Sequence, residues 1–515
     1  MTGARIVLRN LTANWIGHGA GLVVMFFLSP FIVHTLGVTE YGIWQLLTVL
    51  TGYMGVLDLG VRASTGRYII LFLGQQEYEK VDETIRTGLG LYTVLSGLIL
   101  FAGFILGLVF PWVFPSVPQE YHMTVAVLLP VLAVNIWISA LRTILSSLLA
   151  AYDRFDLARG SDLIMLAVRT IGTIVVLKLG MGLIGLTIAI VGCNIVGLIV
   201  NLMLCNRIHS GLKLWPLMLK KDRMKELYNY GIGAFVVAVS AKIIGQTDLL
   251  LVGNLISIDS VAVYSIGAML IYYSDTFTKQ IYMTFFPSLQ RAVAQENFGE
   301  VRWILNRLIS LSLILGILMY VGYAFFGVSF ITLWMFDAKI FPLTSVESAA
   351  KVMAILSCAK LLLLLGQFSR SLLAATGHIS FSAKMTIVEA MINLILSISF
   401  VVVFDWGLTG IAAGTLGSHL LIQTILVPHY ACKKVGMSWG GLLLSTGSRG
   451  LIAAGLFSGI CFGMQHLFTT QNWFEFFIQV AACVLCYIPI ALLLLVSSND
   501  KKRLWNKIYR PIVKS

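Results

Sequence analysis

The sequence predicts an all-α integral membrane protein of about 14 transmembrane helices, two six-helix lobes around a central cavity with two further helices at the carboxyl end. Three observations predict it: a strongly apolar composition, positive charges confined to alternate loops, and a recurrence of short motifs at one offset.

Of the 515 residues, 58% are hydrophobic and 11% charged, and the mean hydropathy is +0.90, which excludes a soluble globular domain. A helix needs about 20 apolar residues to cross the hydrocarbon. Segments of that kind fall at 12–36, 42–61, 87–110, 122–145, 163–179, 183–204, 231–255, 261–286, 309–334, 351–375, 386–404, 408–428, 447–468 and 476–496. The first follows the polar start MTGARIVLRN without a small-residue cleavage site, so it is read as retained.

The formal charge is +13, and its placement matters more than its size. The termini and even-numbered loops hold 27 of the 36 Lys and Arg; the opposite loops hold Lys339, with Lys178 and Lys351 at helix ends. By the positive-inside rule both termini are cytoplasmic and the number of spans is even, which fourteen satisfies and twelve would also satisfy. The richest basic segment, LKLWPLMLKKDRMKELYNYG, reads as a linker resting on anionic headgroups, with membrane lipids rather than nucleic acid as its partner. Cys483 and Cys486 make a CxxC inside the last span, where packing is the expected role.

The pentapeptide SLLAA occurs in SSLLAAYDRF and again in SRSLLAATGH, 224 residues later. GLIGLTIAI sits opposite GLTGIAAGT at an offset of 225, and LGVTEYGIW opposite LISIDSVAVY at about 220. All three matches join equivalent places in the helix count. The organisation read from them is an amino-terminal lobe over 1–205, a basic linker over 206–230, a second lobe over 231–430, and two last spans with a basic tail over 431–515. Six is even, so the lobes share one orientation, as in transporters whose site lies between repeats. The pentapeptide itself is expected to pack, its small residues allowing close approach.

Removing the loop charges leaves Arg142, Arg169, Lys242, Lys279, Lys360 and Arg370 at membrane depth or near its edge, with Asp58, Asp248, Asp275 and Glu389. A charge at the centre of a span costs roughly 2.5–3.5 kcal/mol, so these groups must snorkel, pair or line a wet cavity. Asp58 with Arg62, and Asp275 with Lys279, are four apart and share a face; Lys242 and Asp248, six apart, do not. Each half carries an arginine, Arg142 or Arg370, just before its SLLAA helix end. Such a pair fits either a bidentate grip on a pyrophosphate or snorkelling to the inner headgroups, and spacing does not choose between them. His18, His34 and His419 also lie in spans, as proton carriers or as hydrogen-bonded interface residues. GHGAG at 17–21 has the spacing of close helix contact and precedes no strand-helix unit, so it is not a dinucleotide site; Pro30 and Pro130 lie inside spans and can bend them. No catalytic or metal-ligating constellation stands out.

The LG-x3-YG-x-W turn after span one and the LDLG-x-R…RY end of span two resemble the amino-terminal segment of the Wzx-type polysaccharide flippases, in the multidrug/oligosaccharidyl-lipid/polysaccharide exporter superfamily. The resemblance implies a carrier that moves an undecaprenyl-pyrophosphate-linked oligosaccharide across the bacterial inner membrane by alternating access, for O-antigen, capsule or exopolysaccharide synthesis. It implies a cationic cavity, for which Arg142, Arg370, Lys242, Arg169, Lys360 and Arg62 are the substrate-binding candidates. No cofactor is expected, and coupling to an H+ or Na+ gradient would fall to Asp58, Asp248, Asp275, Glu389 or His18. A monomer is expected, with the polymerase and glycosyltransferases of the same pathway as neighbours. The lipid II flippase relatives are similar but place arginines in span one, where this chain has His18.

Two other classes remain. A MATE-like drug antiporter needs a cavity dominated by acids, whereas six buried cations here face four acids. A membrane glycosyltransferase, polymerase or ligase needs acid-base or metal-binding groups on the outer face; the longest outer loops, PWVFPSVPQEYH and FDAKIFPLTSVESA, are short and hold few acids.

Overall fold

The computed structural model describes residues 3–209, 214 and 217–496; the side chain of His18 lies outside the described residues, as does part of the basic linker. The helices are α1 Gly3–Met54, α2 Val61–Gly74, α3 Tyr78–Val113, α4 His122–Ala151, α5 Phe155–Lys178, α6 Gly182–Ile208, α7 Lys221–Leu255, α8 Ile258–Ala294 and α9 Phe298–Gly316. They continue as α10 Gly322–Met335, α11 Leu343–Gly366, α12 Phe368–Ala375, α13 Ile379–Val402, α14 Gly407–Ser418, α15 Val427–Lys434, α16 Trp439–Leu442, α17 Ser448–Leu467 and α18 Trp473–Leu494. Three π-helical segments, Ile317–Val321, His419–Leu426 and Leu443–Gly447, join α9 to α10, α14 to α15 and α16 to α17. Among the described residues the one β contact is an isolated bridge between Asp337 and Phe341.

Eleven helical segments among the described residues are long and apolar enough to cross a membrane. The first of these, Gly19–Asp58, is broken at Gly37, whose φ of 80° and ψ of 168° are not helical. Helices α7 and α8 are also long, 35 and 37 residues, and polar side chains, Ser274, Asp275 and Lys279, interrupt the apolar run of α8. Counting the break as a boundary and adding these two helices returns the fourteen segments expected.

The chain divides between Ala262 and Val263 into two units. In the first, α3 packs on α4, α4 and α5 on α6, and α1 on α5. Helix α7, counted with the second lobe in the sequence reading, packs against α1, α2 and α3 in the first unit. In the second, α10 packs on α11, α11 and α13 on α14, and the last pair, α17 and α18, on α10.

The recurrence is a repeated helix ending. Helices α4 and α12 close at Ala151 and Ala375, and the leucines of both SLLAA stretches, Leu148, Leu149, Leu372 and Leu373, are buried in the cores of their units. The N–H groups of Asp153 and Arg154 return to the carbonyls of Ala150 and Leu149, and those of Gly377 and His378 to Ala374 and Leu373. This is the Schellman arrangement, which needs a left-handed residue after the helix. Asp153 (φ 56°) and Gly377 (φ 77°) supply it, glycine freely and aspartate at about 1–2 kcal/mol. The same two bonds recur where α2 and α8 end, at Gln76 (φ 62°) and Glu296 (φ 52°). Positive φ recurs again after α5 and α13, at Gly180 (71°) and Asp405 (54°). Small residues also set one contact: Gly60, at φ +75°, lies where an added Cβ would run into the backbone of Gly231 on α7.

Replacing Gly60 by Ala is expected to destabilise the protein by about 1–3 kcal/mol, through its positive φ and the lost approach to α7. Gly97→Ala, in open space on α3, should be neutral or stabilising. Thermal unfolding of both variants in detergent checks this.

Candidate functional site

In the first unit the charges singled out from the sequence gather in two places. The 3-10 turn Gly55–Asp58 ends α1, and Asp58, 7% exposed, accepts from the backbone N–H of Gly60 and pairs with Arg62 at 2.6 Å. Arg62 also lies 5.9 Å from the centre of the Tyr92 ring, the geometry of a cation-π contact. Lys242 on α7 is half-buried, and its described partner is the side-chain oxygen of Gln246, 3.3 Å away. Gly52 makes room for this pair: a Cβ there would stand 3.0 Å from Nζ of Lys242. Lys242 and Arg62 lie within each other's electrostatic field, and among the described residues no carboxylate is within ion-pair distance of Lys242. Next to it Tyr53 is hydrogen-bonded with Thr247 at 2.8 Å, and Asp248 is buried.

The second place is the seam of α4, α5 and α6. Arg142 pairs with Asp162 at 3.1 Å, and Arg159 holds the other carboxylate oxygen at 3.1 Å. The amide of Asn201 donates to the Arg142 carbonyl, and that of Asn194 to Asn135 at 2.9 Å. Arg169 on α5 and Arg142 both act electrostatically on Cys193 of α6, so both reach the same seam.

The second unit holds two ion-paired networks. Asp275 on α8 receives Lys360 of α11 at 2.7 Å and the hydroxyl of Tyr320, from the π-helical segment, at 3.3 Å. Glu389 on α13, 1% exposed, has Arg370 of α12 at 3.7 Å, His419 at 3.0 Å and the donating amide of Gln423.

The pairing of Asp58 with Arg62 matches the sequence reading. That of Asp275 with Lys279 does not: Lys279 is exposed, and Asp275 turns across to α11, because an interhelical partner there keeps a carboxylate compensated away from solvent. Arg142 and Arg370 were expected either to grip an anion or to reach headgroups; each instead meets a carboxylate of the next helix, Asp162 or Glu389. Hydropathy places Asp162 in a loop, and Gln246 and Gln423 carry no charge, so the sequence alone does not single out these three. Arg159 and Asp162, three apart at the start of α5, were the available signal. Among the described residues no cluster of His, Cys, Asp and Glu could hold a metal ion.

Two helical units, with eleven segments long and apolar enough to span and with ion pairs between their helices, define a multi-pass membrane protein. More narrowly, the chain belongs to the lipid II flippase MurJ family, whose sequence model it matches over residues 72–482; the members are flippases, carriers rather than enzymes. It is 22% identical over 281 residues to a Haloferax volcanii protein described as a low-salt glycan biosynthesis flippase, Agl15. That match takes in 53% of this chain and 56% of the relative, so it spans about half the length of each. The fold is similar to the lipid II flippase MurJ in its inward closed conformation, with a TM-score of 0.69 at 16% identity over 98% of this chain and 99% of that one. An inward-facing multidrug resistance MATE transporter of the MOP superfamily follows at 0.68 and 13%, over 82% and 96%. A MOP superfamily transporter from Pyrococcus furiosus, described with a binding pocket of reverse polarity, stands at 0.56 and 14%, over 85% and 98%. At these identities the likeness is one of fold.

The Asp275–Lys360 pair makes a clear expectation. Asp275→Asn leaves the ammonium without a counter-charge and should cost about 3–5 kcal/mol, whereas the double change Asp275→Asn with Lys360→Met should recover most of that loss. A double-mutant cycle on thermal stability in detergent measures it.

Proposed function

We propose that the protein flips an oligosaccharide linked to undecaprenyl pyrophosphate across the bacterial inner membrane by alternating access, with both termini in the cytoplasm. The observation that carries this reading is Lys242: a cation at bilayer depth, close to Arg62, with no carboxylate partner among the described residues. Such a site is completed by an anion from outside the chain, and a pyrophosphate supplies oxygens for an ammonium and for the planar fork of a guanidinium. Arg142, Arg169, Lys360 and Arg370 are the remaining candidates, reached once their carboxylates give way. The glycan would travel along polar groups of the protein while the prenyl chain stays in lipid.

A carrier of cationic drugs needs acids free to receive them. Here three of the four acids, Asp58, Asp275 and Glu389, each already meet a cation of the chain, which favours an anionic over a cationic substrate. O-antigen, capsule or exopolysaccharide synthesis is the setting this substrate suggests, with the pathway's polymerase and glycosyltransferases as neighbours and the protein acting as a monomer.

Loss of the protein should leave the lipid-linked glycan on the cytoplasmic leaflet, read by leaflet-resolved detection in a strain without another flippase. Lys242→Gln and Arg370→Ala, each removing one charge-assisted contact, should slow flipping by about tenfold or more at normal protein abundance. A matching fall in abundance would point to a structural role instead.

A further inference from the structure

Arg370, Glu389 and His419 are arranged so that one carboxylate has two bases in reach. Glu389 is 1% exposed; its Oε2 accepts from Gln423 and stands 3.7 Å from Arg370, while its Oε1 stands 3.0 Å from Nδ1 of His419. His419 is itself buried and opens the second π-helical segment. Neither Oε1 of Glu389 nor Nδ1 of His419 meets hydrogen-bond geometry with any described group. Two buried polar atoms so close and yet unaligned are rare, and they gain a charge-assisted bond when the imidazole carries a proton on Nδ1.

Charge decides when that happens. With Arg370 at hand, Glu389 already has a counter-charge. Arg370 is 45% exposed, so the protein itself does not enclose its guanidinium. Once drawn away, it leaves a buried carboxylate without a counter-ion, a state worth several kcal/mol, and a base beside that carboxylate is then favoured in its charged form. The arginine of the first unit is placed differently: Asp162, 39% exposed and also held by Arg159, remains compensated when Arg142 leaves.

The other elements packed on the segment offer little to answer the charge. Helix α14 has no titratable side chain, Lys360 of α11 is held by Asp275, and Glu347, Lys351 and Cys358 of α11 have no described contact with His419. On α13 the one further charge is Lys384; α15 carries His429, Tyr430, Cys432, Lys433 and Lys434, and none of these has a described contact with His419.

We infer that Arg370, Glu389 and His419 form a proton-linked exchange site: when a pyrophosphate takes Arg370, His419 accepts one proton from solvent at Nδ1 and becomes the counter-ion of Glu389, returning the proton when Arg370 comes back. The inference rests on the pyrophosphate reading above. Binding takes up a proton, so affinity rises as pH falls, by up to about tenfold per pH unit.

The test uses the full chain in nanodiscs and inorganic pyrophosphate as the probe. Calorimetry in buffers of different ionisation heat gives the protons taken up per ligand bound. The probe's own protonation is common to all variants and cancels in the comparison. The wild type should take up close to one proton more than His419→Gln, and Glu389→Gln, lacking the charge to be answered, should lose the same proton. Equal uptake by wild type and either variant overturns the inference. Arg370→Ala separates the two levels: if it binds pyrophosphate as tightly as the wild type, the reading of Arg370 as a pyrophosphate ligand fails; if it binds weakly and the other variants keep full uptake, only the proton linkage fails.

Discussion

A charge held in hydrocarbon has to be answered, and the structure depends on how that requirement is met. Asp58, Asp275 and Glu389 each lie on a crossing helix, and each is met by a cation. All three partners come from another helix, Arg62 from α2, Lys360 from α11 and Arg370 from α12. An ion pair between helices fixes their rotation and height more tightly than apolar packing does, because the alternative faces would leave a charge in lipid. Asp275 with Lys360 ties α8 to α11, and Arg370 with Glu389 ties α12 to α13, in a unit whose remaining contacts are mostly interchangeable aliphatic side chains. Lys242 departs from this pattern, and for that reason it carries the functional argument.

The repeated helix endings keep one backbone pattern under different side chains. A left-handed residue after a helix can be Gly377 or Asp153, Gln76 or Glu296; the backbone bonds it allows are the same. Selection on the turn therefore leaves the letters free wherever a polar residue can bear the strain. The buried leucines before it are less free, which is why SLLAA remained visible.

The fold was legible because the apolar runs, the side of the basic loops and the offset of about 224 residues all report on the same arrangement. Helix α7 was harder to assign, since its packing on α2 turns on Gly60 and Gly231, whose meeting no local pattern announces. Within the site, the i, i+4 rule found Asp58 with Arg62 and misled for Asp275, where a helix distant in sequence competes with the neighbour one turn away. Asp162 lay hidden at the boundary between loop and span, because hydropathy places the end of a crossing segment to within a few residues while the helix itself runs on. The glutamines were invisible to a search for charge, although Gln246 and Gln423 both attend one.

The three π-helical segments are the least regular part of the second unit, and they sit inside rods that otherwise run unbroken. A π turn holds one residue more than its neighbours, so everything beyond it is rotated by about a third of a revolution relative to an uninterrupted helix. Such a wrinkle can slide along its helix by exchanging hydrogen bonds one at a time, swivelling the far half without unfolding either. Where the wrinkle begins at His419, that swivel would carry the imidazole around its axis, so the place where the rod stores its slack is also the place where a single proton can be felt.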